Sequence, residues 1–233
     1  MTNKPQDNRL GTEPILPLLF KLAAPSILSM FIQSMYNVVD SIFVARLSED
    51  ALAALSLAFP IQMVQIAVAV GTGVGASSLI SRSLGRGSRR EAERAASHVL
   101  LLALVYGAIA AFIGVFFPEQ LIGMFTDDPL LIDYGTRYIW IILVGATAMY
   151  IPMIANSILR GEGNTFIPMV TMLIGSIMNI ILDPLFIFGY GVFPRMGIEG
   201  AAVATVLSRI ISGSFIVYML FKGENQVKVS FRG

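Results

Sequence analysis

Six long apolar runs, separated by short connections rich in charge and turn residues, leave this chain few ways to fold. The runs fall at residues 15–45, 52–81, 95–117, 130–159, 165–189 and 198–221. A membrane-spanning helix needs about 20 mostly apolar residues. In lipid, each backbone N–H and C=O must find its partner inside its own segment, so a run of this length becomes a helix. The connections read LSED, GRGSRREAER, PEQLIGMFTDDP, RGEGN and GVFPRMG. Hydrophobic residues make up 55% of the chain and charged ones 13%, against about 25% charged in a soluble domain. Mean hydropathy is +0.75. The expected fold is an all-α polytopic membrane protein in which six transmembrane helices form one bundle.

The domain reading follows. Residues 1–13 form a flexible tail, 14–222 the six-helix bundle, and 223–233 the start of a further loop. The first apolar run outlasts the h-region of about 7–15 residues that a cleavable signal carries, so none is expected. The chain has no cysteine, which excludes disulfides, thiolate metal sites and cysteine nucleophiles. Lys and Arg in short loops set orientation. Arg82, Arg86, Arg89, Arg90, Arg94 and Arg160 fall on one side with Lys4, Arg9, Lys21, Lys222, Lys228 and Arg232. The other side has Arg46, Arg137 and Arg195 beside Glu49, Asp50, Glu119, Asp127 and Asp128. Both ends should be cytoplasmic, with the protein multi-pass in the plasma or inner membrane. The arginine-rich loop reads as this orientation signal rather than as a nucleic-acid surface. The single His98 starts an apolar run beside that loop and reads as interfacial, not as a ligand or base.

Two carboxylates interrupt the apolar pattern. Asp40 is the only charge between Lys21 and Arg46, and Asp183 the only one between Glu162 and Arg195. An ionisable side chain at the centre of a membrane helix costs roughly 2.5–3.5 kcal/mol by insertion scales. Ion or proton handling is the default reading of such residues. Spans 1 and 5 run in the same direction. Asp40 lies 19 residues after Lys21 and Asp183 lies 19 after Asn164, so each is roughly 28 Å along its helix from the cytoplasmic end. The two groups therefore share a depth and can meet if their helices are neighbours.

Each carboxylate has a polar face behind it. Gln33, Tyr36, Asn37 and Asp40 follow i, i+3, i+4, i+7 spacing and form one helical stripe, expected to face inward with the substrate-cavity candidates Gln33, Tyr36 and Asn37 on it. Asn179 and Asp183 are i, i+4 on span 5. Thr205 on span 6 and Tyr138 on span 4 reach an overlapping level. Oxygen-rich sets of this kind suit hard cations, and apolar walls suit a carboxyl that takes up and releases a proton. The structural alternative is interhelical glue at about 1 kcal/mol per polar contact. It weighs most for Thr205, Tyr138, Gln33 and Asn37, and least for the aspartates, since an amide would join helices more cheaply. Pro184, directly after Asp183, should kink span 5. The small-residue stretch GTGVGASS at 71–78 suits close helix contact and fails as a nucleotide fingerprint, since no strand precedes it. The twelve methionines read as core filling. Arg209 lies within span 6 with no partner evident from sequence.

With these residues in view, the chain resembles the multidrug and toxic compound extrusion (MATE) family. The resemblance rests on MYNVVDSIFVARLSEDALAALSLAFPI, GTGVGASSLISRSLGRGSRREAERA, LRGEGNTFIPM, MNIILDPLFIFGYG and GIEGAAVATVLS, in the family's order. It implies a twelve-helix transporter of two six-helix bundles, an antiporter extruding drugs and organic cations against Na⁺ or H⁺. Asp40, Asn179, Asp183 and Thr205 resemble the family's cation site, with Tyr138 matching a nearby aromatic. The pattern is closest to the branch named for the DNA-damage-inducible F protein. On this resemblance the chain is the N-terminal half, whose missing partner is a second, C-terminal six-helix bundle. A fragment, a truncation and a self-pairing half-transporter all remain open. No cofactor beyond the coupling Na⁺ or H⁺, no other metal and no catalytic residue are expected.

Three other functions compete. A flippase for lipid-linked oligosaccharides would want several cations in its cavity to hold pyrophosphate, and only Arg209 offers itself. An intramembrane aspartyl protease also uses two membrane aspartates, but in YD and GxGD contexts, where this chain has VVDS and LDPL. A purely structural subunit would tolerate Asn at both aspartates.

Overall fold

The computed structural model describes residues 14–191, 193–222 and 227. The tail expected over 1–13 and, Val227 apart, the loop segment expected over 223–233 lie outside the described residues. Eight helices make up the described chain. They are α1 (Ile15–Ala45), α2 (Glu49–Gly85), α3 (Arg89–Phe116), α4 (Pro118–Gly123), α5 (Pro129–Val144), α6 (Thr147–Gly161), α7 (Phe166–Phe188) and α8 (Ile198–Lys222).

Their boundaries follow from local chemistry. Ser48 caps α2 by accepting the Ala51 N–H at 3.0 Å, and Glu49 and Asp50 place negative charge in the first turn. Asp128 caps α5, accepting the Leu130 N–H at 2.9 Å, with Pro129 in the first turn. Asn164 accepts the Ile167 N–H at 3.2 Å at the start of α7. That helix stops at Gly189, whose φ of 73° is the left-handed conformation that ends helices and favours glycine. The Met196 and Gly197 N–H groups then bond the Phe186 and Ile187 carbonyls, folding the connection back over the helix end.

Among the described residues five helices are long and apolar enough to cross a membrane, and a sixth span is the bent pair α5–α6. The sequence suggests one unbroken helix over 130–159. The structure instead breaks it by 50° between Val144 and Thr147. Around the break the backbone changes to tighter bonds, with the Ala146, Ala148 and Met149 N–H groups each reaching three residues back. Pro152, one turn later, has no N–H to offer the Ala148 carbonyl. Neighbouring helices fix the bend in place. A methyl group at Gly107 of α3 would stand 2.8 Å from the Thr147 Cα, and one at Gly145 would stand 2.6 Å from Val206 Cγ2 of α8. Pro184 does the opposite of what its sequence position suggests. The α7 helix runs through it without interruption from Phe166 to Phe188.

Packing divides the bundle unevenly. The α2, α3, α5 and α6 helices pack on one another, and α8 joins them to α7. Alanines line these contacts, with Ala51, Ala54, Ala58, Ala92, Ala96, Ala103, Ala155, Ala201, Ala202 and Ala204 fully buried. In lipid no hydrophobic force draws helices together, so close backbone approach through small residues supplies the attraction. The α1 helix packs chiefly on α7 and touches α2 and α8 only lightly. Ile27, Met30, Phe31 and Val38 of α1 are all more than half exposed.

If the bend depends on this close packing, Gly107→Ala should lower the thermal stability of the detergent-solubilised protein by about 1–3 kcal/mol, the usual cost of overpacking. Gly71→Ala, where nothing lies within 4 Å, should leave stability unchanged or slightly raised. Equal melting temperatures for wild type and Gly107→Ala would rule this out.

Candidate functional site

The α1, α7 and α8 helices bring five of the sequence-selected residues together. Asn179 and Asp183 are fully buried one turn apart on α7, and Asp40 of α1 is 9% exposed. The Asn179 amide Nδ2 donates to Asp183 Oδ1 at 3.1 Å and to Thr205 Oγ1 at 3.4 Å. The Tyr36 hydroxyl lies 3.4 Å from the same Thr205 Oγ1. The Asp40 and Asp183 carboxyls are within hydrogen-bonding reach of each other. The equal depths counted along spans 1 and 5 thus correspond to neighbouring helices and touching side chains.

Tyr138 of α5 is buried at the rim of this cluster, close enough for the charges of Asp40 and Asp183 to act on it. Its hydroxyl, however, lies beside the Gln62 side chain of α2. Sequence reasoning passed over Gln62, although Gln62 and Gln65 are the only polar side chains between Ser56 and Thr72. Gln65 is buried, and neither of its amide atoms has a hydrogen-bond partner.

The α1 stripe faces inward only in part. Tyr36 and Asp40 are buried, Gln33 is half-buried and Asn37 is exposed. Helical geometry explains the difference. Asn37 lies at the edge of the stripe, 100° round from Tyr36, and α1 docks by a narrow strip. Its side chain accepts from Gln33 Nε2 at 3.4 Å, along the flank of the helix.

The cluster's acceptors outnumber its donors. Asp40 Oδ1, Asp183 Oδ2 and Asn179 Oδ1 are buried oxygens with no hydrogen-bond partner. Leaving such a group unsatisfied costs roughly 1–3 kcal/mol. Three orphaned acceptors from three side chains match what a shared proton or a small hard cation would satisfy.

Arg209 does have a partner. Its guanidinium carbon lies 5.7 Å from the centre of the Tyr36 ring, one turn along α8 from Thr205. A cation over a ring recovers roughly 0.5–2 kcal/mol, while a charge inside a span costs about 2.5–3.5 kcal/mol. The ring therefore offsets only part of the cost. Among the described residues Arg209 makes no ion pair.

Comparison with known proteins places these residues in context. The MatE family model matches residues 25–185. The FAD transporter of Shewanella oneidensis is 34% identical over 215 residues, which takes in 91% of this chain and 47% of the relative. The probable multidrug resistance protein NorM of Thermotoga maritima is 31% identical over 207 residues, with 88% and 44% covered. A solved structure of a MOP superfamily transporter from Pyrococcus furiosus superposes with a TM-score of 0.91 at 33% identity, covering 99% of this chain and 50% of that one. The chain spans about half the length of the curated relatives it matches.

The excess of acceptors makes a stability prediction. Asp183→Asn replaces an acceptor with an N–H₂ donor and should leave melting unchanged or raise it. Asn179→Leu removes the only amide donor in the cluster and should lower stability by about 1–3 kcal/mol. Unfolding of the purified variants in detergent measures both, and the reverse ranking would contradict the reading of the network.

Proposed function

The chain belongs to the MatE family, and from that premise we propose that it forms one six-helix wall of a cation-coupled exporter for drugs and organic cations. Substrate would occupy a cleft between this bundle and a second one. The observation that carries the coupling role is the set of three donorless buried oxygens, on Asp40, Asp183 and Asn179, between α1 and α7. A proton or a Na⁺ ion settling there would remove the repulsion between the two carboxyls. Thr205 and Tyr36 would complete the surround, with Tyr138 and Gln62 closing the α2–α5 side. Gln33, Tyr36 and Asn37 would present polar groups to the cleft along the flank of α1.

The mechanism follows from how α1 is held. Since α1 packs chiefly on α7, an ion arriving between them changes the strength of its attachment directly. Pro25 within α1 lowers the cost of bending that helix. The ion can move the equilibrium only by its difference in affinity for the two arrangements. Exchange then requires that the ion favour one arrangement and the exported molecule the other. Rocking of one bundle against the other needs both, because each offers a single wall. The charge bias of the loops supports a cytoplasmic-membrane location with both ends of this segment on the cytoplasmic side. A lipid-linked oligosaccharide flippase ranks second, because Arg209 alone would have to hold a pyrophosphate.

In the product of the full reading frame, Asp40→Asn should abolish gradient-driven export from inverted vesicles while preserving the folded, monodisperse protein. Asp183→Asn should do the same or nearly so, and Asn179→Ala should weaken ion dependence more than drug binding. Export by Asp40→Asn with unchanged dependence on Na⁺ and pH would make the carboxylate structural. The 233-residue chain by itself should not export. Robust export by it in vesicles, without a cross-linked dimer, would overturn the two-bundle proposal.

A further inference from the structure

Arg209 is the feature that cation coupling and organic-cation export leave unexplained. A carrier of cations gains nothing from a fixed positive charge beside its coupling site, and Arg209 stands one turn along α8 from Thr205 of that cluster. We propose that Arg209 is a docking point for an anionic group, a phosphate or a carboxylate, borne by the exported molecule. This rests on the export reading above and turns its substrate class from organic cations toward an amphiphilic organic anion or zwitterion.

Three observations and one general property of guanidinium support it. Arg209 is half-buried, so its side chain is not sealed in the bundle. The Tyr36 ring, 5.7 Å away, covers one face of it and restrains its orientation. Among the described residues no carboxylate pairs with it, and so its N–H fork remains available. A planar guanidinium binds phosphate and carboxylate oxygens through two parallel hydrogen bonds, a geometry that an ammonium lacks. Tyr36 also touches both functions. Its ring carries the guanidinium, while its hydroxyl meets Thr205, which accepts from Asn179. An aromatic body attached to the anionic group would have Tyr36 to stack on. The rival reading makes Arg209 a counter-charge for Asp40 and Asp183, acting through space. That reading predicts altered ion coupling on neutralisation and no preference among substrates by charge.

The test compares two ligands that differ by one phosphate. Flavin mononucleotide and riboflavin share a ring system and fluoresce, so binding to the full-reading-frame protein in phosphatidylcholine nanodiscs can be read directly. Ethidium serves as a cationic reference. Wild type should bind flavin mononucleotide at least tenfold more tightly than riboflavin. Arg209→Gln should erase that difference while leaving riboflavin and ethidium binding within about twofold. Arg209→Lys should recover only part of it, because an ammonium cannot make the paired bonds. Equal affinities of wild type for the two flavins would overturn the proposal, as would a phosphate preference that survives in Arg209→Gln. Loss of all three ligands in Arg209→Gln with unchanged melting would overturn it too, by making the residue a scaffold of the cavity. Nanodiscs doped with phosphatidylglycerol separate solute from lipid. If the anionic lipid abolishes flavin mononucleotide binding, the headgroup is the ligand and the exported-anion proposal fails. Failure of the export reading looks different, since wild type would then bind none of the three ligands and transport nothing.

Discussion

The contact between Asp40 and Asp183 ties the most exposed helix of the bundle to the rest. Few other interactions could do so. In lipid, apolar side chains on α1 gain as much from acyl chains as from protein, so Ile27, Met30, Phe31 and Val38 exert no pull inward. The small-residue packing that holds α2, α3 and α6 together is sparse along α1, which buries Ser29, Tyr36, Asp40 and Val44 and little else. Two of those four, Tyr36 and Asp40, belong to the polar cluster. The helix is therefore held by groups whose mutual attraction depends on what lies between them.

The other part of the bundle is built on a different principle. Its alanines and glycines let backbones come close enough that a single methyl group would collide, as at Gly107 and Gly145. Such interfaces have one good arrangement and resist sliding. The 50° bend between α5 and α6 is locked from three sides, by α3, α8 and the proline within α6. A stiff frame beside a loosely attached helix is a sound basis for a moving part, because strain at the cluster goes into α1 rather than being shared across all six spans.

How much of this can be read in one dimension depends on the residue. The spans are legible because a bilayer imposes a length on them. The depth of Asp40 and Asp183 is legible because helical rise is fixed. The bend at Gly145 is not, since glycine and proline are tolerated in straight membrane helices and the decision is made by Thr147 and Val206 meeting their neighbours. Pro184 misleads for the same reason. Its helix stays whole because the connection after it, through Met196 and Gly197, ties the last turn. The stripe on α1 is correct in period and wrong in breadth, for nothing in the chain says how narrow the contact with α7 will be. Gln62 is polar within an apolar run and was passed over, while Arg209 stood out as charged within one. Only knowledge of which helices are neighbours pairs Gln62 with Tyr138 and Arg209 with Tyr36.

The long loop between the two tethered carboxyls also sets a timetable for biogenesis. Asp183 is made 143 residues after Asp40, roughly 7–30 s later at about 5–20 residues per second. During that interval α1 has entered the membrane without its partner, carrying a carboxyl that has nothing to pair with. The insertion machinery or a local water defect must shelter it until α7 and α8 arrive. Helices made long after the first span are therefore the ones that dock it, and a slow codon run between them would lengthen the period in which α1 is open to capture by a protease or by another chain.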